Sequence, residues 1–202
     1  MTSFLQELAQ ARPDPGGGAA AAFGANLGLA LLEKVVKLEG RRRRKTADAT
    51  GLTWEEALAR LRGLAANLER LRAADVQAYF NLVAARASGD PARRAAAVEE
   101  AVDCPRQIME QAAKALELLG WAGAHCQKHL VSDLLVAGEF LGAALKGAGH
   151  IAGANLPLVP EAHSRQALAR ELAQAYRQGE DLYQRVQADL MAGMRLPHWP
   201  DS

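Results

Sequence analysis

Apolar positions along this chain recur at three- and four-residue steps, the spacing of one face of a helix, and no stretch alternates as a strand would. The clearest run is Leu58, Leu61, Leu64, Leu68 and Leu71, which predicts a long amphipathic helix continuing to about Val83. Thr53 and Glu56 mark its start with the spacing of a capping box. Ser88-Gly89-Asp90-Pro91 is a turn, with Asp90 placed as N-cap and Pro91 at the first position of the next helix. That helix contains Pro105, whose missing N–H predicts a kink or a short interruption, and it ends near Gly120 to Gly123. Another helix runs from about Lys128 or Ser132 to Ala154 and is closed by Asn155-Leu156-Pro157. A last one covers Ala162 to about Met191, and the LPHWPDS tail is expected to be loosely ordered.

At the front of the chain, Ser3 to Ala11 reads as a short helix with Phe4, Leu5 and Leu8 on one face. Arg12 to Gly18 breaks it, because two prolines and three glycines cannot continue a helix. A long second helix then starts in the glycines and runs into the arginines at Arg41. The expected fold is all-α: an antiparallel up-and-down bundle of five long helices plus a short N-terminal helix, forming one domain over residues 1–202.

Composition supports the helices and narrows the function. Half of the residues are hydrophobic and only 5% aromatic, and Ala and Leu are strong helix formers and weak strand formers. Lys and Arg total 24 against 23 Asp and Glu, a net charge of +1 that argues against a dedicated nucleic-acid binder. Two cysteines, Cys104 and Cys126, cannot build a disulfide framework and read as buried thiols. The N-terminus lacks the basic start and long apolar stretch of a signal peptide. Gly16 to Leu32, the least polar stretch, reads as a core helix and not a bilayer span. A cytoplasmic protein without membrane contact is expected.

Several motifs carry candidate chemistry. Gly16-Gly17-Gly18 at a helix start leaves backbone N–H groups free for a polar or anionic ligand; it serves equally as a tight corner. The cations Arg41 to Lys45 suit either a helix C-terminus or a clamp on a polyanion. His125, Cys126 and His129 place two histidines at i and i+4, but no third ligand is apparent and no metal is expected. Ser132 and Asp133 open an apolar helix, as cap and dipole partner or as reactive groups. Asp75 precedes Tyr79 on the third helix, as a solvated residue or a ligand contact. Glu33 interrupts an apolar run and needs a partner or an edge position, with Lys34 and Lys37 nearby.

The order of these motifs resembles a known family. F-L-x-x-L-A and P-D-P-G-G-G-A-A-A-A between Phe4 and Ala22, then A-L-L-E at Ala30 to Glu33, are similar to the opening of the cyclodeaminase/cyclohydrolase family. This is the C-terminal domain type of formiminotransferase-cyclodeaminase, which includes stand-alone methenyltetrahydrofolate cyclohydrolases. The cationic run, D-x-x-A-[FY] at Asp75 to Tyr79, Pro105, Ser132-Asp133 and Asn155-Leu156 follow in the same order, so the resemblance spans essentially the whole chain.

The resemblance implies a homodimeric helical bundle acting on tetrahydrofolate derivatives, either by closing the formimidoyl form with loss of ammonia or by opening the methenyl ring with water. No cofactor beyond the folate substrate is implied, and polyglutamylated folates give the basic run a purpose. On this reading Asp133 transfers the proton, Ser132 and Asn155 position the substrate, and His129 is a second acid–base group. Pro15, Gly16, Gly17, Gly18, Glu33, Arg41, Arg42, Arg43 and Asp75 complete the substrate contacts. The chain departs from the family's usual pattern at Lys37, at Cys126 to His129 and at Ile151. Those departures motivate an alternative: a non-catalytic bundle acting as a ligand-binding or interaction module.

Overall fold

The computed structural model describes residues 2–42 and 51–194. Six α-helices follow one another: α1 (Thr2–Leu8), α2 (Gly17–Arg42), α3 (Trp54–Ser88), α4 (Pro91–His125), α5 (Val131–Asn155) and α6 (Ala162–Met194). Single 3-10 turns at Lys128–Leu130 and Leu156–Leu158 flank α5, and no strand occurs among the described residues. The expected all-α bundle of five long helices and one short one is therefore what the chain forms.

Capping chemistry sets the helix boundaries. The Thr53 hydroxyl accepts from the Glu56 backbone N–H while the Glu56 carboxylate accepts from that of Thr53, the reciprocal pair its spacing predicts. Asp90 caps α4 by accepting from the N–H groups of Ala92 and Arg93. Gly89, at φ 70°, ends α3 in the left-handed conformation that favours glycine. α3 thus runs five residues beyond Val83, because this stop signal, and not the fading of the leucine period, terminates it.

Pro105 does not break α4. A proline at this position removes the N–H that would bond the carbonyl four residues earlier, that of Ala101. The side-chain amide of Asn155 donates to that carbonyl at 2.7 Å, so it is satisfied from outside the helix and α4 continues. Of the expected kink or short interruption, the interruption does not occur: α4 is continuous through Pro105, and the carbonyl freed there finds a partner 54 residues away.

Each long helix packs on the next, α2 closes on α5, and α4 lies centrally against α2, α3, α5 and α6. Leu32, Leu61, Leu68, Ile108, Leu116, Leu134 and Leu141 fill the core. Alanines and glycines let the axes approach: a Cβ on Gly28 of α2 would stand 2.8 Å from the Ala137 carbonyl of α5. By length and composition α2 suffices to cross a bilayer, its most apolar window having a mean hydropathy of 1.4, yet it packs on three neighbours as a bundle helix. Only 44% of that window is buried.

The helices are unequal, and the inequality creates the site. α3 passes the start of α2 near Asp75 and continues to Ser88, roughly 20 Å farther at the rise of an α-helix. α4 returns alongside it. A step is left where α2 begins, α5 ends, and the α3–α4 hairpin stands clear.

Candidate functional site

The step holds a cleft of about 170 Å³. Pro13, Asp14 and Gly16 to Gly18 form one wall, Asp75, Tyr79 and Leu82 of α3 another, and Ile151 and Asn155 the end of α5 a third. Pro15 is buried, joined to Asp14 by a cis peptide bond. Three of the sequence-predicted elements, the glycines, Asp75 and Asn155, therefore converge here from positions far apart in the chain.

Asp75 dominates the chemistry. Its Oδ2 accepts from the backbone N–H of Ala19 at 2.8 Å, so a carboxylate from α3 satisfies one of the unpaired donors opening α2. The approach needs glycine: a Cβ on Gly18 would fall 2.0 Å from Asp75 Oδ1. Burial pushes the carboxyl above the usual aspartate range, and the Ala19 N–H pulls only partly the other way. Asn155 is not simply a ligand contact, since its amide nitrogen is committed to the Ala101 carbonyl.

The other predicted residues lie at the opposite end of α2 and α5. Asp133 sits in the first turn of α5, 22 residues from Asn155, or roughly 33 Å along a helix. Its Oδ2 pairs with Lys34 Nζ at 2.8 Å on the surface. Ser132 is exposed and caps nothing, because α5 already starts at Val131. His129 is exposed on the 3-10 turn. α4 ends at His125, so the two histidines share no helix face, and His125 Nδ1 lies 2.7 Å from the Trp121 carbonyl.

Glu33 pairs with Lys37 at 2.8 Å and approaches Arg62 at 3.5 Å; the Lys37 hydrogen bond holds it below the usual carboxylate range. Arg41 is exposed. Arg42 binds Glu39 at 2.8 Å. Arg43, with Arg44 and Lys45, lies outside the described residues.

Sequence reasoning missed Glu39, the carboxylate of α2 that is actually buried, at 1% exposure. Besides Arg42, it accepts from the Gln127 backbone N–H at 3.1 Å, tying α2 to the segment before α5. The signal was present, for Glu39 continues the stripe of Leu32, Val35 and Val36 at helical spacing. Cys104 is buried, and burial pushes its thiol up to about 12, which makes it unreactive; Cys126 is only half-buried. Three larger surface cavities, of about 290, 430 and 500 Å³, hold none of the predicted site residues. No cluster of three or more metal-ligating side chains occurs among the described residues.

The formiminotransferase-cyclodeaminase family model matches residues 1–174. The chain belongs to that family. Among solved structures it is similar to formiminotetrahydrofolate cyclodeaminase from Thermotoga maritima, with a TM-score of 0.85 and 23% identity, covering 95% of this chain and 96% of that one. At that identity the likeness shows a shared fold. No curated protein matches the chain. Family membership relates the chain to enzymes and leaves the residues of its own site to be judged by their geometry.

Proposed function

We propose that the protein is a folate one-carbon enzyme of the cyclodeaminase or cyclohydrolase type, and that its chemistry takes place in the cleft at Asp75. The observation that carries this reading is the half-buried carboxyl of Asp75, raised by burial and fixed at the first turn of α2 in an open cleft. Its proton affinity lies closer to neutrality than that of an ordinary aspartate, as a group that both takes and returns protons requires. Asp133, neutralised by Lys34 on the surface, is the weaker candidate.

In ring opening, water attacks the methenyl carbon and passes a proton to Asp75. The C–N5 bond then breaks, N5 takes that proton back from Asp75, and the hydroxyl of the adduct releases its own proton to solvent, leaving the formyl group on N10. In ring closure, N10 attacks the carbon of the protonated formimidoyl group, the N10 proton passes through Asp75 to the departing amino nitrogen, and ammonia leaves with formation of the methenyl cation. Neither reaction changes oxidation state, so neither requires a redox cofactor.

The protein acts as a homodimer in this proposal, because α2 and α5 leave Leu38, Val136 and Phe140 exposed. Incubation with 5,10-methenyltetrahydrofolate, followed by the loss of its near-ultraviolet absorbance, tests the reading. Turnover that disappears in Asp75→Asn supports it; turnover surviving Asp75→Asn but lost in Asp133→Asn transfers the role to Asp133. Saturable binding without turnover of either the methenyl or the formimidoyl substrate favours the non-catalytic alternative.

A further inference from the structure

A cavity of about 500 Å³ opens along the seam between α3 and α4, and it shares no lining residue with the Asp75 cleft. A cavity of that size accommodates a small organic molecule. Leu64 and Leu118, both buried, supply its apolar lining together with Trp121, whose ring packs on Trp54 at 4.5 Å. Packing does not require the glycine at position 63, because a Cβ on Gly63 would meet no atom within 4 Å. Glycine is a poor helix former, and in the middle of α3 its missing side chain leaves one wall of the cavity open.

The polar lining centres on one buried amide. Gln111 is only 8% exposed, and its Oε1 accepts from Asn67 Nδ2 at 3.3 Å. Among the described residues nothing accepts from Gln111 Nε2 and nothing donates to Asn67 Oδ1. A side chain this buried with unused N–H donors is costly unless a partner completes the bonds. The two amides together offer a donor beside an acceptor, the complement of a ring amide whose carbonyl accepts and whose N–H donates.

Charge narrows the ligand further. Arg60 of α3 and Lys114 of α4 line the cavity from the two sides of the seam, exposed and without an ion pair among the described residues. The carboxylates one turn before them are committed, Glu56 to the Thr53 cap and Glu110 to Arg106. Glu117 also lines the cavity, so two cations stand there against one carboxylate. That balance favours a ligand with an anionic group over a cationic one.

We propose that this cavity binds a small molecule made of a flat heteroaromatic ring with an amide edge and an anionic group. The ring lies against Leu64, Leu118 and Trp121, its carbonyl accepts from Gln111, and its N–H donates to Asn67. The anionic group meets Arg60 and Lys114. A purine nucleotide and a pterin carboxylate share this chemistry. The site is separate from the reaction assigned to Asp75 and does not depend on the folate reading.

Calorimetric titration of the full chain with inosine monophosphate, and separately with 6-carboxypterin, tests the site. Saturable binding of either probe that weakens by at least ~10-fold in both Gln111→Leu and Gly63→Leu supports it. Binding of one probe and not the other identifies the source. Gly63→Leu fills the open wall with a better helix former, so its melting temperature should not fall and its lost affinity is not a loss of folding. Binding of neither probe, or unchanged affinity in either variant, overturns the site. Inosine binding as tightly as its monophosphate overturns the role given to Arg60 and Lys114.

Discussion

The two ends of α2 carry carboxylates in opposite circumstances. At its start, Asp75 is half-buried, bonded to one backbone N–H and pushed up by desolvation. Towards its other end, Asp133 faces Lys34 across a surface ion pair at 2.8 Å, with side chains 30% and 57% exposed. Both are aspartates in motifs that resemble those of the family. Environment distinguishes them: removal from water disfavours the charged form of Asp75, whereas Asp133 stands in a surface ion pair. A proton-transfer group belongs in the first setting.

The largest expected effect follows directly. Asp75→Asn lowers turnover of the methenyl substrate by at least ~10²-fold, while Asp133→Asn changes it little. The reverse result breaks the comparison. The pH profile sharpens it: with Asp75 as base, the acid limb of the rate lies above the ordinary aspartate value of 3.8, because burial raises this group. Stability moves the other way. A carboxyl raised in the folded state contributes stability below its unfolded pKa and loses it as pH rises through the folded one. At neutral pH the charged form is the disfavoured one. The amide oxygen introduced by Asp75→Asn can still accept from the Ala19 N–H, so this variant is expected to melt at or above the wild-type temperature while activity falls.

Gly18→Ala comes next. Its methyl would enter within 2.0 Å of Asp75 Oδ1, forcing the carboxylate or the start of α2 to move. An overpacked contact of this kind costs about 1–3 kcal/mol, read as a lowered denaturation midpoint, and it displaces the Asp75 carboxylate as well. Gly24→Ala on the same helix has open space and serves as the control.

Asn155 ranks third and tests the architecture of the cleft end. Asn155→Ala leaves the Ala101 carbonyl without its donor, at a cost of about 1–3 kcal/mol. Pro105→Ala restores the N–H that a helix normally directs at that carbonyl. In a double-mutant cycle the loss from Asn155→Ala should therefore shrink in the Pro105→Ala background. Additive losses would show that the amide bond is incidental.

This pair also shows what a sequence can and cannot convey. Helix order, the Thr53 and Asp90 caps and the break at Pro13 to Gly18 are local, set by residues within a few positions of one another, and they could be read directly. The continuity of α4 through Pro105 could not, because its remedy lies 54 residues away. The same holds for the cleft. Gly18 and Asp75 each looked ambiguous, and only their contact gives either a role. Asp133 drew attention by its motif, and nothing local revealed that Lys34, 99 residues earlier, pairs with it. Glu39 shows the opposite failure, since its helical spacing did place it on the buried stripe.

The smallest expected effect lies at the cationic end. The Lys34–Asp133 pair is exposed, and pairs of this type contribute about 0–1 kcal/mol and are screened by salt. Lys34→Ala should therefore leave thermal stability within about 1 kcal/mol of wild type, with the difference shrinking at high ionic strength. A larger loss that persists in salt would mean the pair is covered in the native assembly, where removing one partner strands a buried charge. A homodimer packed over α2 would produce that outcome by bringing this surface into the interface. Repeating the measurement over a protein dilution series separates the cases, because only a penalty that belongs to the dimer changes with concentration.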